Sequence, residues 1–135
     1  MLTTVDDGPA IVACNTCRYS QQNREDAEGR RGGALLIAAL HAVKESDARY
    51  AAIAVQEMSC LFACSAFCAI HVRAPRKLSY VLGRFTPDKG AATSILDYAL
   101  LHAESQHGRV PLQLWPQAVK GHFISRIPPA GFVIL

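Results

Sequence analysis

The sequence predicts a mixed α/β fold. Short apolar runs of strand length alternate with two longer stretches whose apolar residues recur at helical spacing, and Gly- or Pro-bearing breaks separate them. Residues 9–13 (P-A-I-V-A) read as a short buried strand running straight into C-N-T-C at Cys14 and Cys17. Residues 18–33 are polar and charged and end in Gly32-Gly33, which makes them a solvated loop. Leu35, Leu36, Ala39, Leu40 and Val43 then fall on one helical face, so residues 34–45 form an amphipathic helix closed by Ser46-Asp47. Residues 50–58 give a second strand, followed by C-L-F-A-C at Cys60 and Cys64 and by a fifth cysteine, Cys68. Residues 69–74 alternate, P-R-K makes a turn, and residues 78–85 are again strand-like, so this stretch reads as a hairpin. Thr86 is positioned to cap a second helix with Pro87 as its first residue. Ile95, Leu96, Ala99 and Leu100 form that helix's stripe, and Gly108 its end. The tail from Val110, broken by Pro116, Pro128 and Pro129, reads as an irregular segment with at most one short strand.

The resulting order, β-α-β-β-β-α, is that of a thioredoxin-like fold: a mixed sheet of four or five strands with two main helices, one domain over residues 1–135. A right-handed crossover makes the first two strands parallel. Both cysteine pairs then emerge at the same edge of the sheet.

The bulk properties bound the function. A chain of 135 residues buries on the order of two thirds of its unfolded surface in one core. The formal net charge of +3 falls short of the dense basic surface that nucleic-acid binding needs. The start, M-L-T-T-V-D-D-G, lacks a basic region and an uninterrupted apolar stretch, so no export signal is expected. The most apolar segments, residues 34–43 and 58–72, are short of the roughly 20 residues of a spanning helix. A soluble cytoplasmic protein follows, with neither nucleic acid nor membrane as partner. In a reducing compartment, five cysteines with four in tight pairs point to metal or redox chemistry rather than disulfides.

C-x2-C followed after 42 residues by C-x3-C supplies four soft ligands, two per segment. A two-iron two-sulfur cluster takes four thiolates, two on each iron, and closely spaced pairs grip one iron with little strain. Zinc accepts the same ligands, so a zinc-binding or metal-delivery module is the second reading. Cys14, Cys17, Cys60 and Cys64 are the candidate cluster and metal ligands, with Cys68 the spare and an alternate to Cys64. Cys60, Cys64 and Cys68 stand four apart and would share one face of a helix; Cys68 enters the next strand and should pack inward. A dithiol oxidoreductase is the third reading, since a redox C-x-x-C also follows a first strand. That chemistry places its second cysteine at a helix start and a proline before the third strand, whereas here a charged loop separates Cys17 from the helix. The five histidines form no ligand pattern, and there is no paired-acid, G-x-S-x-G, Walker or dinucleotide motif, so no enzyme activity is expected. Arg18, Arg24, Arg30 and Arg31 read first as a solvated loop. Their charge also suits an anionic cluster or an acidic partner.

Several motifs together resemble a known family. They are C-N-T-C-R, a Gly before a leucine-rich helix, C-L-x-x-C, A-P-x-K-x-x-Y-V-x-G (Ala74, Pro75, Lys77, Tyr80, Val81 and Gly83) and R-I-P-P ending at Pro129. The likeness is to a bacterial domain-of-unknown-function family described as predicted metal-binding proteins, and it spans about Cys14 to Pro129. That family looks related to thioredoxin-like two-iron two-sulfur ferredoxins. The resemblance implies cluster ligation by Cys14, Cys17, Cys60 and Cys64, electron transfer with a redox partner protein, a homodimer, and a setting in cobalamin or metal metabolism. The chain departs from those ferredoxins in its first loop, where only two residues separate Cys14 from Cys17.

Overall fold

The computed structural model describes all residues, 1–135. Its elements are β1 (Ala10–Cys14), α1 (Gly32–Ser46), β2 (Ala54–Met58), β3 (Ile70–Arg73), β4 (Ser79–Leu82), α2 (Lys89–Glu104) and β5 (Phe123–Ile127). They form one five-stranded sheet in the order β2-β1-β3-β4-β5. β1 and β2 are parallel, and the other neighbours are antiparallel.

Every residue of β1 is buried, as a strand flanked by neighbours on both sides requires. Its register against β2 pairs Cys14 with Met58, so the two parallel strands end level. The helices pack on the sheet and on each other through Leu36, Leu40, Ile95, Leu96 and Ala99. These join Ile11, Ile70 and Leu82 in one apolar core. Tyr50 is tied into this core by its hydroxyl, which donates to Asp97 on α2 at 2.5 Å.

The fold is the one the element order predicts, with local differences that have physical causes. Tyr50 belongs to a 3-10 turn over Ala48–Tyr50, because Asp47 captures the Arg49 amide at 2.9 Å and winds the chain before β2 begins. Helix α2 is capped by Asp88 rather than Thr86: the Asp88 carboxylate accepts from the Ala91 amide at 2.8 Å, and Pro87 stays outside the helix. The helix closes at Ser105, whose hydroxyl takes the carbonyl of His102 at 2.6 Å, before Gly108 is reached. His102 is buried, and its Nε2 lies 2.6 Å from the carbonyl of Leu78, so the ring is held as a donor there, while desolvation lowers its pKa. The short strand allowed in the tail is β5, an edge strand anchored by Phe123, whose ring meets Tyr80 edge-on at 5.5 Å. No helix is long and apolar enough to cross a membrane.

Candidate metal centre

The two cysteine loops leave the sheet side by side. β1 delivers Cys14 and Cys17; β2 delivers Cys60 two residues beyond Met58, which stands opposite Cys14. Three bonds tie the first loop to the end of β2 and the start of the loop after it: the Asn15 amide to the Met58 carbonyl (2.9 Å), the Asn15 side chain to Glu57 (3.2 Å), and the Thr16 hydroxyl to the Ser59 carbonyl. Cys14 and Cys17 are buried with Ala69, and Leu61 and Ala63 of the second loop pack on them.

The region after β2 is not helical. It holds a single 3-10 turn over Cys64–Ala66, and Phe62 and Cys68 adopt left-handed φ angles of 57° and 49°. The three cysteines Cys60, Cys64 and Cys68 therefore do not share a helical face. The Cys60 and Cys64 sulfurs face each other at 4.0 Å, while Cys68 turns into the core at 0 % exposure, donating to the Arg18 carbonyl at 3.5 Å. Burial pushes the Cys68 thiol up to about 12.

Cys14, Cys17 and Cys64 line one cavity of about 210 Å³, together with Thr16, Ala63, Arg18, Arg24 and Arg31. Cys60 stands just outside that lining, beside Cys64. The sulfurs form two pairs, and no three cysteine, histidine or carboxylate side chains converge tightly enough to enclose an ion. Backbone amides nevertheless already point at sulfur: Ala69 N–H donates to Cys17 Sγ and Phe62 N–H to Cys60 Sγ, both at 3.3 Å. Such bonds favour the thiolate over the thiol.

Three of the four loop arginines face this cavity. Arg31 is held there by a bond to the Thr16 carbonyl at 3.2 Å, and the buried Nε of Arg18 has no partner. Arg30 instead pairs with Asp26 (2.9 Å) and Glu28 (3.3 Å) at the surface; it and the exposed Arg24 are solvated, as the loop reading expects. No carboxylate lines the cavity.

Sequence distance between Cys17 and α1 proves not to be spatial distance. The loop returns so that the Gly33 amide donates to the Cys17 carbonyl at 3.1 Å, and the first turn of α1 rests on the C-N-T-C loop. A Cβ on Gly33 would lie 2.0 Å from the Cys14 carbonyl oxygen, and one on Gly32 would lie 2.3 Å from that of Arg18. The Gly-Gly pair ends the loop, as its sequence suggests, and it also permits this close approach, which the sequence pattern does not show. The N-terminal end of a helix carries partial positive charge, which adds to the anion-favouring character of the site.

The two thiols of the first pair ionise unequally. The Cys17 thiol bonded to the Cys14 sulfur is the main cause holding Cys14 down at about 5; Thr16 and the Leu61 amide add to it, against desolvation. The same bond, with burial, pushes Cys17 upward. In metal-free reduced protein, ultraviolet thiolate absorbance should accordingly show one sulfur ionising near pH 5, and Cys14→Ser should remove that transition. Its persistence in the variant would refute the assignment. The linkage has a definite sign. Cys14 ionises below its unfolded value of 9.0, so its contribution to stability is complete above 9.0 and is lost as pH falls through about 5. Cys17, raised above 9.0, acts oppositely and lowers stability on the alkaline side.

A model of the family described as "Protein of unknown function (DUF1636)" matches residues 11–129. No curated protein matches the chain. Among solved structures, the chain is similar to a thioredoxin-like [2Fe-2S] ferredoxin from Aquifex aeolicus, with 14 % identity over 95 % of this chain and 100 % of that one, at a TM-score of 0.54. At that identity the likeness establishes the thioredoxin-like fold.

Proposed function

The chain belongs to the DUF1636 family of proteins of unknown function, and on that premise we propose that it is a thioredoxin-like electron carrier holding a two-iron two-sulfur cluster on Cys14, Cys17, Cys60 and Cys64. The observation that carries this reading is the cation-lined cavity between two adjacent loops, into which both segments contribute cysteine. The residues fit the group. Four soft sulfurs stand as two pairs, amide N–H groups already bond to one sulfur of each pair, and Arg18, with an unpartnered buried Nε, answers the negative charge of an all-thiolate centre. When bound, the cluster supplies one-electron uptake and release.

The chain's own residues govern the surroundings. Leu61 and Ala63 pack over Cys14 and Cys17 and keep water from their sulfurs. The bonds from Asn15 to the end of β2 and from Thr16 to the second loop fix one pair against the other. Arg24 and Arg31 line a cavity that holds no carboxylate, and neither makes an ion pair, so the partner for electron exchange is proposed to be a protein with an acidic surface. No substrate is transformed.

A second reading, dithiol oxidoreduction, draws on the low ionisation of Cys14 and on the first turn of α1 beneath its loop. It is weakened at Ala69, the residue preceding β3: its N–H bonds to Cys17 sulfur, and the proline typical of that chemistry has no N–H to give. Purification without oxygen decides between them. Brown protein with about two irons and two acid-labile sulfides per chain supports the cluster. Colourless protein with stoichiometric zinc keeps the four-cysteine site but overturns the iron-sulfur reading. Metal-free protein that reduces insulin disulfides establishes the dithiol.

A further inference from the structure

A second cavity, of about 480 Å³, lies at the opposite end of the sheet from the cysteine loops, where β3 turns into β4 and the C-terminal tail folds back. Pockets that take small ligands run from about 300 to 1,000 Å³, so this one is of working size. One wall is rigid. The Leu78 amide donates to the His107 carbonyl at 3.0 Å, and Gly108, at φ +81°, packs so closely that a Cβ would lie 2.4 Å from the Leu78 carbonyl oxygen. The other wall is the tail, whose turn is closed by the Phe132 amide on the Pro129 carbonyl at 3.1 Å.

The lining combines Leu78, Pro129, Phe132 and Ile134 with Arg76 and Arg109. Neither arginine is paired: the ion pairs of the molecule involve only Arg30 and Arg49. Carboxylate side chains are also missing from the surrounding sequence, since residues 58–87 and 105–135 contain no Asp or Glu. Two unpaired guanidinium groups beside an apolar wall match a ligand with an anionic head and an apolar body. They argue against a second copy of this chain as the occupant, because the same basic surface would meet itself.

We propose that this cavity binds a small amphipathic anion, an aliphatic or aromatic carboxylate whose apolar part lies on Phe132 and Ile134 and whose carboxylate bridges Arg76 and Arg109. The site is independent of the cysteine centre.

Amide NMR spectra of the full chain titrated with decanoate test it. Saturable shifts are expected at Arg76, Leu78, His107, Arg109 and residues 129–134. Uncharged decanol should bind more weakly, and the double variant Arg76→Gln/Arg109→Gln should weaken decanoate by about tenfold or more, as loss of two charge-assisted hydrogen bonds implies. Both arginines are exposed, and the variant's spectrum reports directly that its fold is retained. Equal affinity for decanol, shifts centred away from this cavity, or full affinity in the double variant would each overturn the proposal.

Discussion

Cys60→Ala is expected to leave the protein, purified without oxygen, with neither visible-region absorption nor stoichiometric iron and sulfide. The substitution is the most demanding test of the four-cysteine assignment, because Cys60 alone of the four does not line the cavity shared by Cys14, Cys17 and Cys64. Its case rests on pairing: its sulfur stands 4.0 Å from that of Cys64 and accepts the Phe62 amide, in a loop bound to the first pair through Thr16. A cluster iron left with one thiolate loses its grip on the chain. The companion variant is Cys68→Ala. Cys68 is fully buried among core residues and bonds to a backbone carbonyl, so its loss should cost about 1–2 kcal/mol of stability as a small cavity and leave the colour intact. Iron analysis and absorption on the two proteins check both outcomes. Full colour in Cys60→Ala would remove Cys60 from the ligand set, and loss of colour in Cys68→Ala with the fold retained would put Cys68 into it.

What the sequence made legible was whatever depends on periodicity and chain topology. The parallel placement of β1 and β2 followed from the handedness of a strand-helix-strand unit, and it brought Cys14 level with Met58 without any knowledge of side chains. The inward turn of Cys68 was legible from its apolar neighbours. What the sequence hid was set by single hydrogen bonds and by backbone conformations with no period. Asp88 outcompeted Thr86 as a cap because its carboxylate reaches the Ala91 amide, a choice that two eligible residues two positions apart do not reveal. The four-residue spacing of Cys60, Cys64 and Cys68 is compatible with a helix but does not require one, and Phe62 and Cys68 take left-handed φ, with Phe62 projecting into solvent at 97 % exposure. The close approach of α1 to the first pair was hidden by the length of the loop between them, since loop length says little about where its ends meet.

That approach gives the largest expected effect on stability. Gly33→Ala should destabilise the fold by about 3 kcal/mol, at the upper end of typical overpacking costs. Two effects compete. Alanine in a helix is favoured over glycine by up to about 1 kcal/mol, which argues for a gain. Against it, the new Cβ would lie 2.0 Å from the Cys14 carbonyl oxygen and 3.1 Å from the Asn15 carbonyl carbon, and both are backbone atoms that cannot swing aside. Either α1 lifts from the sheet, exposing the neighbours of Leu36 and Leu40, or the C-N-T-C loop shifts and misplaces Cys14. The steric term therefore wins. Gly90→Ala, in the first turn of α2, supplies the control: the nearest neighbour of its Cβ is a carboxylate oxygen of Asp88 at 3.4 Å, an ordinary contact, so only the propensity gain remains and stability should rise by up to about 1 kcal/mol. Urea unfolding of both variants separates the terms. A Gly33→Ala protein as stable as the parent would show that α1 does not rest on the cysteine loop, and the fixed geometry of the first pair would fall with it.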